Sequence, residues 1–323
     1  MTTRALAILG FLALLAAVVC WLRLGVGGPL PPGSEVIWEI RWQRVIAGSV
    51  VGIGLATAGV LLQCLFRNPL ASPDLLGMSS GAGVSVMFWQ LIAFHMGSGI
   101  AQNAVDVGVA LPGALGALAL TYLLSQRRGM IEPVSLILTG VVVGIVAAAL
   151  ISLLQQLLPD RGVAAARLLL GSINDDVGWP TLAIVAAVTA MLLVRALLLA
   201  PAMDVASLSD DEARAAGVAL GRLRLELFLV SGVLTGVTFA LAGPVAFVGL
   251  VCPHLVRLAT GPGHRVVLVG SALLAISMVV GADALVRVLD LGSGRLPISV
   301  LTAMLGGPLL IWMLRQRRTP GIT

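Results

Sequence analysis

All 20 basic residues of this 323-residue chain are arginine, and the missing lysine removes a large area of chemistry. A phosphate-cradling loop of the GxxxxGK[ST] kind needs its lysine, so any ATP hydrolysis has to come from another chain. Other reactive groups are sparse. His95, His254 and His264 share no helical turn with one another or with a carboxylate, and they assemble no nucleophile and base. Cys20, Cys64 and Cys252 lie in or beside apolar runs without CxxC spacing and read as buried structural thiols. No group of His, Cys, Asp and Glu has the spacing of a metal site. A catalytic residue, a directly bound cofactor and a resident metal are therefore all absent from the expectation, and a metal would pass only as a chelate.

Three segments interrupt the apolar pattern in ways that need a purpose. The first, RNPLASPDLLGMSSGAG at Arg67–Gly83, carries Pro69 and Pro73. These cannot donate backbone hydrogen bonds, and they turn the residues before them away from helix. Irregular backbone at a membrane boundary is tolerated where protein or a water-filled cavity satisfies it, so a gate or a pathway lining is expected here. The second, AGPVAFVGLVCPH at Ala242–His254, combines Gly243, Pro244, Gly249 and Pro253 and ends on His254, read as a structural cap or surface contact. The third, Ala202–Arg224, is hydrophilic. Ser209 and Glu212 have capping-box spacing, Asp210 and Asp211 suit a helix start, and Gly217 suits its end. A short capped helix on the surface is a place to receive a motor that the chain itself lacks.

The elements that position these segments are membrane helices. The chain is 59% apolar and 11% charged, against about 25% charged in soluble domains, and a spanning helix takes ~20 apolar residues. Ten apolar segments are read, at about 5–24, 43–66, 76–96, 105–125, 134–158, 180–200, 223–241, 245–260, 266–289 and 297–314. The single Tyr and the lack of short alternating segments argue against a membrane β-barrel. The first segment lacks a small-residue cleavage site and is kept as a helix. The expected fold is thus an all-α polytopic membrane protein of about ten helices, forming one transmembrane domain over 1–323. The Gly52–Thr57 fragment GxGxxT lies inside an apolar helix and is no dinucleotide fingerprint. Its glycines suit close helix packing.

Arginines between the segments divide twelve to seven, with Arg195 left inside a helix, and this favours both termini on the cytoplasmic side. The formal charge of +5 is spread in the same way and does not suggest nucleic acid. Among the outside arginines, Arg161 and Arg167 sit near Asp160, Asp175 and Asp176 in a polar loop. Arg41, Arg44 and Arg287 could snorkel at the bilayer edge, and Asp283 could pair with Arg287 at i,i+4.

Read in order, IRWQR, LLQCLFRNPLASPDLLGMSSGAG, LILTGVVVG, LLLGSI, SLSDDEARAAGV, AGPVAFVGLVCPH and RLPISVLTAMLGGPLLIWML resemble the FecCD-type permeases over nearly the whole chain. These are membrane subunits of type II ABC importers for ferric siderophores, haem and cobalamin. The resemblance implies a permease dimer in the bacterial inner membrane, identical or heteromeric. It also implies two ATPase subunits that carry ATP and Mg, and a periplasmic or lipoprotein substrate-binding protein. It places a cytoplasmic gate at Asn68 and Leu70 with Glu132, Pro133 and Val134. The coupling element would be Ser207, Leu208, Ser209, Asp210, Asp211, Glu212, Ala213, Arg214, Ala215, Ala216 and Gly217, within about 202–224. Arg41, Arg44 and Arg287 would meet carboxylates of the binding protein. Three departures stand out: Ser209 replaces a usual Gly, RWQR replaces RLPR, and Arg295-Leu296-Pro297-Ile298-Ser299 replaces an acidic-Leu-Pro-Val-Gly run.

The expected function is uptake of an iron chelate through an ATP-driven importer. NPLASPDLLG favours a ferric siderophore over haem or cobalamin. An ion-coupled secondary transporter would want ionisable residues at mid-membrane, for which Asp283, near the outer half of its helix, is the clearest candidate. An integral-membrane enzyme lacks its reacting groups.

Overall fold

The computed structural model describes residues 2–27, 35–96, 107–127, 130–131, 133–158, 171–173, 177–289 and 296–316. Long apolar runs punctuated by Gly and Pro fold into helices α1 (Thr3–Gly25), α2 (Glu35–Leu65), α3 (Met78–His95), α4 (Val107–Ser125) and α5 (Pro133–Gln156). There follow α6 (Trp179–Ala206), the short α7 (Asp210–Ala215), α8 (Leu220–Ala242), α9 (Val248–Thr260), α10 (His264–Val288) and α11 (Ile298–Gln316). A single 3-10 turn, Pro73–Leu76, precedes α3. A two-residue antiparallel ladder pairs Gln126 with Ile131 and Arg127 with Met130 between α4 and α5. Among the described residues, seven helices are both long and apolar enough to cross a bilayer. This is a multi-pass, all-helical membrane protein.

The helix α2 is the axis around which the rest is laid. From Val45 to Leu65 its residues are buried on nearly every side, which is the pattern of a helix enclosed by others, and α6, α8, α9 and α10 pack around it, while Val36, Ile37, Trp38 and Trp42 of its first turns are exposed. The approach is closest at Gly59. A Cβ there would lie 1.8 Å from the Gly249 carbonyl oxygen, so α2 and α9 meet backbone to backbone, as small residues in membrane helices allow. By contrast α1 buries only Ala5, Leu12, Ala16 and Arg23 and turns Phe11, Leu14 and Trp21 outward, with α10 and α2 at its back.

Two differences from the sequence reading concern polar ends. Helix α2 starts at Glu35, a full two turns before the apolar run, and in these added turns Glu39 accepts from Trp179 Nε1. Helix α6 continues through Pro201 to Ala206. The stretch Gly243–Phe247 stays non-helical inside the bundle. It is packed closely, with Pro244 O against Gly171 and Phe247 against Gly306, and Gly243 N–H and Val248 N–H donate to Phe239 O and Ala246 O at 2.6 and 2.9 Å.

Candidate functional site

The end of the bundle that carries α7 is a polar joint of six helices. Ser209 caps α7: its Oγ accepts from the Glu212 N–H at 3.2 Å, and its own N–H donates to Glu212 Oε2 at 2.9 Å, the reciprocal box that the spacing predicts. Ser209 Oγ–H also donates to Glu212 Oε2 at 2.7 Å, and this bond first, with the Ser209 N–H second, holds the Glu212 carboxyl below its ordinary range. At the other terminus Gly217 adopts φ 81°, while Val218 N–H reaches Ala213 O at 3.0 Å and Gly217 N–H reaches Arg214 O at 2.9 Å, a Schellman closure. The helix is therefore six residues, shorter than the Ser207–Gly217 segment, and Ser207 belongs to the tail of α6, with its Oγ on Met203 O. Ala213 is fully buried and anchors α7. Leu208, Ser209, Asp211, Glu212, Arg214, Ala215, Ala216 and Gly217 face outward.

Asp210, the first residue of α7, is held by two arginines. Arg224 Nη2 donates to Oδ2 at 2.8 Å, and Arg67 Nη2 lies 2.6 Å from Oδ1. Burial pushes the Asp210 carboxyl up, yet Arg224 and Arg67 together outweigh it and hold the group below the usual carboxylate range. Arg67 also donates through Nε and Nη2 to Ala206 O at 3.0 and 2.9 Å, placing a cation on the carbonyl end of α6. Its own backbone sits at φ 46°, a left-handed conformation costing ~1 kcal/mol or more that only such anchoring sustains. The next residues form the loop of interest. Asn68 Oδ1 accepts from the Leu70 N–H at 3.0 Å, and Ala71 N–H returns to Asn68 O at 3.1 Å. Thus α7 and the Asn68–Leu70 loop are one side chain apart.

Two further contacts complete the joint. Asp204 Oδ1 accepts from the backbone N–H of His264 at 2.9 Å and lies 2.6 Å from His264 Nδ1, capping α10 from α6. Arg257 Nη1 donates to Gln63 Oε1 at 2.9 Å, linking α9 to α2. Neither pair was visible in the sequence, because the partners are 60 and 194 residues apart. On α5, Pro133 opens the helix and Val134 points outward. The structure seats α5 on the 3-10 turn after the loop, where Gly77 lies against Gly140 and Gly144. Glu132 and Arg295 lie outside the described residues.

The opposite end of α2 carries a buried cluster. Asp283 on α10 accepts from Arg23 Nε at 2.5 Å and from Arg44 Nη1 at 2.6 Å. This corrects the Asp283–Arg287 pairing: the carboxylate turns into the bundle toward α1 and α2, where desolvation makes a charged partner essential, and away from its own helix surface. Arg41 donates to Leu24 O at 2.8 Å. Arg41 and Arg44 are 5% and 7% exposed, and Arg287 is half-buried, so Arg41 and Arg44 are stowed within the protein in this conformation. Arg195, left without a role by the sequence, pairs with Glu226 of α8. Cys64, Cys252 and His254 are buried.

The family model described as the FecCD transport family matches residues 6–316. The chain belongs to the FecCD transport family. It is 34% identical to the hemin transport system permease protein HmuU of Yersinia pestis over 284 residues, 87% of this chain and 84% of that relative. It is 37% identical to the vitamin B12 import system permease protein BtuC of Vibrio cholerae over 309 residues, 92% of this chain and 90% of the relative. A solved structure of a transporter assigned to the metal-chelate ABC type, in an inward-facing conformation, superposes with a TM-score of 0.84. Its sequence is 29% identical, and the match covers 96% of this chain and 99% of the other. This FecCD chain is accordingly a transport component, a permease, and not an enzyme.

Proposed function

We propose that the chain is the membrane permease of an ATP-driven importer in the bacterial cytoplasmic membrane, working as a dimer with a second permease chain, identical or homologous. Two ATPase subunits, which hold ATP and Mg, dock on α7 at the cytoplasmic face, where both termini also lie. A periplasmic or lipoprotein-type binding protein delivers substrate at the face near Arg41, Arg44 and Arg287. Asn68 and Leu70, with Glu132, Pro133 and Val134, form the cytoplasmic gate. The observation that carries this reading is the Arg67–Asp210 contact. It ties a rigidly capped surface helix to the residue preceding the gate loop, so a push on α7 moves that loop.

The cargo is a chelated metal. The relatives named for hemin and vitamin B12 support a metallated tetrapyrrole, while a ferric siderophore rests on the NPLASPDLLG pattern alone. The test is reconstitution with the cognate ATPase and binding protein in proteoliposomes, supplied with haem, cobalamin or a ferric siderophore. ATP-dependent accumulation of one of them is the expected result. Accumulation that follows an ion gradient without ATP would overturn the importer reading.

A further inference from the structure

Asp283 receives two cations. Arg23 Nε takes Oδ2 and Arg44 Nη1 takes Oδ1, with all three side chains buried. Arg23 is completely enclosed, yet its Nη1 and Nη2 have no hydrogen-bond partner. A guanidinium edge matches both oxygens of a carboxylate side-on, and buried donors are ordinarily satisfied. Here one donor of Arg23 is engaged, and its Nη1 and Nη2 are left over beside a carboxylate that Arg44 also holds.

We propose that Arg23 is a reserve counter-ion that frees Arg44 for docking. When the binding protein arrives, Arg44 turns from Asp283 to a carboxylate on that protein, and Arg23 closes side-on over both Asp283 oxygens. Removing one member of a buried ion pair is strongly destabilising, because the other is left uncompensated. The exchange avoids that state: Asp283 keeps two charge-assisted bonds throughout. It also reconciles a docking role for Arg44 with a side chain that is stowed in the free permease. The inference rests on the docking role proposed above. Arg23 itself is a positioning residue. It is wholly buried and touches nothing outside the chain.

The test measures affinity of the assembled permease–ATPase complex in nanodiscs for its binding protein. Arg44→Ala weakens docking by about tenfold or more. Arg23→Met weakens it by a similar factor although Arg23 makes no contact with the partner, because releasing Arg44 would now strand Asp283. Adding Asp283→Asn to Arg23→Met restores wild-type affinity. Arg23→Met keeps the neutral Arg44–Asp283 pair and is the variant expected to assemble; Asp283→Asn alone, in which nothing holds Arg44 back, binds at least as tightly as wild type wherever it assembles. Weak docking by Arg44→Ala together with normal docking by Arg23→Met, or Asp283→Asn as weak as Arg44→Ala, overturns the exchange and leaves the docking role standing. Normal docking by Arg44→Ala overturns the docking role and the exchange with it.

Discussion

Asp210 and Asp283 are each gripped by two arginines, yet the two clusters are different devices. Around Asp210 the side chains are 39%, 34% and 20% exposed for Arg67, Asp210 and Arg224, whereas Arg23, Asp283 and Arg44 are 0%, 2% and 8% exposed. Water screens the first cluster, so its bonds are individually weak and can be made and broken while the helices move. The second is desolvated, so any loss of a partner is expensive and a change must be an exchange. Equal composition therefore yields an adjustable hinge at one end of α2 and a fixed clasp at the other.

The sharpest way to break this contrast is to remove each carboxylate's charge and polarity. Asp283→Leu strands two buried cations and is expected to cost about 3–5 kcal/mol, read as a lowered unfolding temperature of the purified protein. Asp210→Leu is expected to cost under about 1 kcal/mol by the same measurement. Equal losses would mean that burial does not separate the two sites.

Next in size is Ala215→Pro, which should break α7 at a cost of ~3 kcal/mol to that helix. Because the damage is confined to a surface element, the protein is expected to insert and assemble normally while substrate-stimulated ATP hydrolysis by the complex is lost. Full stimulation would show that α7 is only a connector.

A smaller effect separates the clusters by solution conditions. The Asp210 carboxyl is held below its ordinary range by its arginines, so its stabilisation is complete above the unfolded value. It is lost only as pH falls through the lower folded value, below about pH 4. A spin label at Leu208 should therefore report unchanged α7 mobility from pH 7 to about 5 and greater mobility below 4. Salt near 1 M, where the Debye length is about 3 Å, should loosen α7 in the same assay and leave a label on α1 beside Arg23 unaffected.

The smallest expected effect is at Glu226, held by Arg195 and by Arg222, which is 81% exposed. Arg222→Ala should cost no more than about 0.5 kcal/mol in unfolding, and a loss of several kcal/mol would contradict the ordering by exposure.

What was legible in the sequence was local. The apolar runs gave away the helices, and Ser209, Glu212 and Gly217 announced both ends of α7, because caps are contacts between residues a few positions apart. The pairings of charges were not legible. For Asp283 the nearest helical neighbour of opposite charge is Arg287, and the i,i+4 rule chooses it. The true partners lie 260 and 239 residues away and become neighbours only when α1, α2 and α10 pack. The polar first turns of α2, Glu35–Trp42, were missed in the same way: they lack an apolar run, and the Glu39 contact with Trp179 lies 140 residues away. Likewise the Arg67–Asp210 contact joins two segments that the sequence singled out separately, and nothing in either spells out the other.

The long separation at the clasp also has a meaning for how the protein is made. Arg44 leaves the ribosome 239 residues before Asp283, an interval of about 10–50 s at ordinary rates of synthesis. For that time α1 and α2 hold their arginines at the membrane without the acid that will neutralise them. They are expected to stay near the lipid surface or beside the insertion machinery until α10 emerges. Completion of the last third of the chain then acts as a checkpoint on the first, so a truncated permease should be left with an unsatisfied positive charge that marks it for proteolysis.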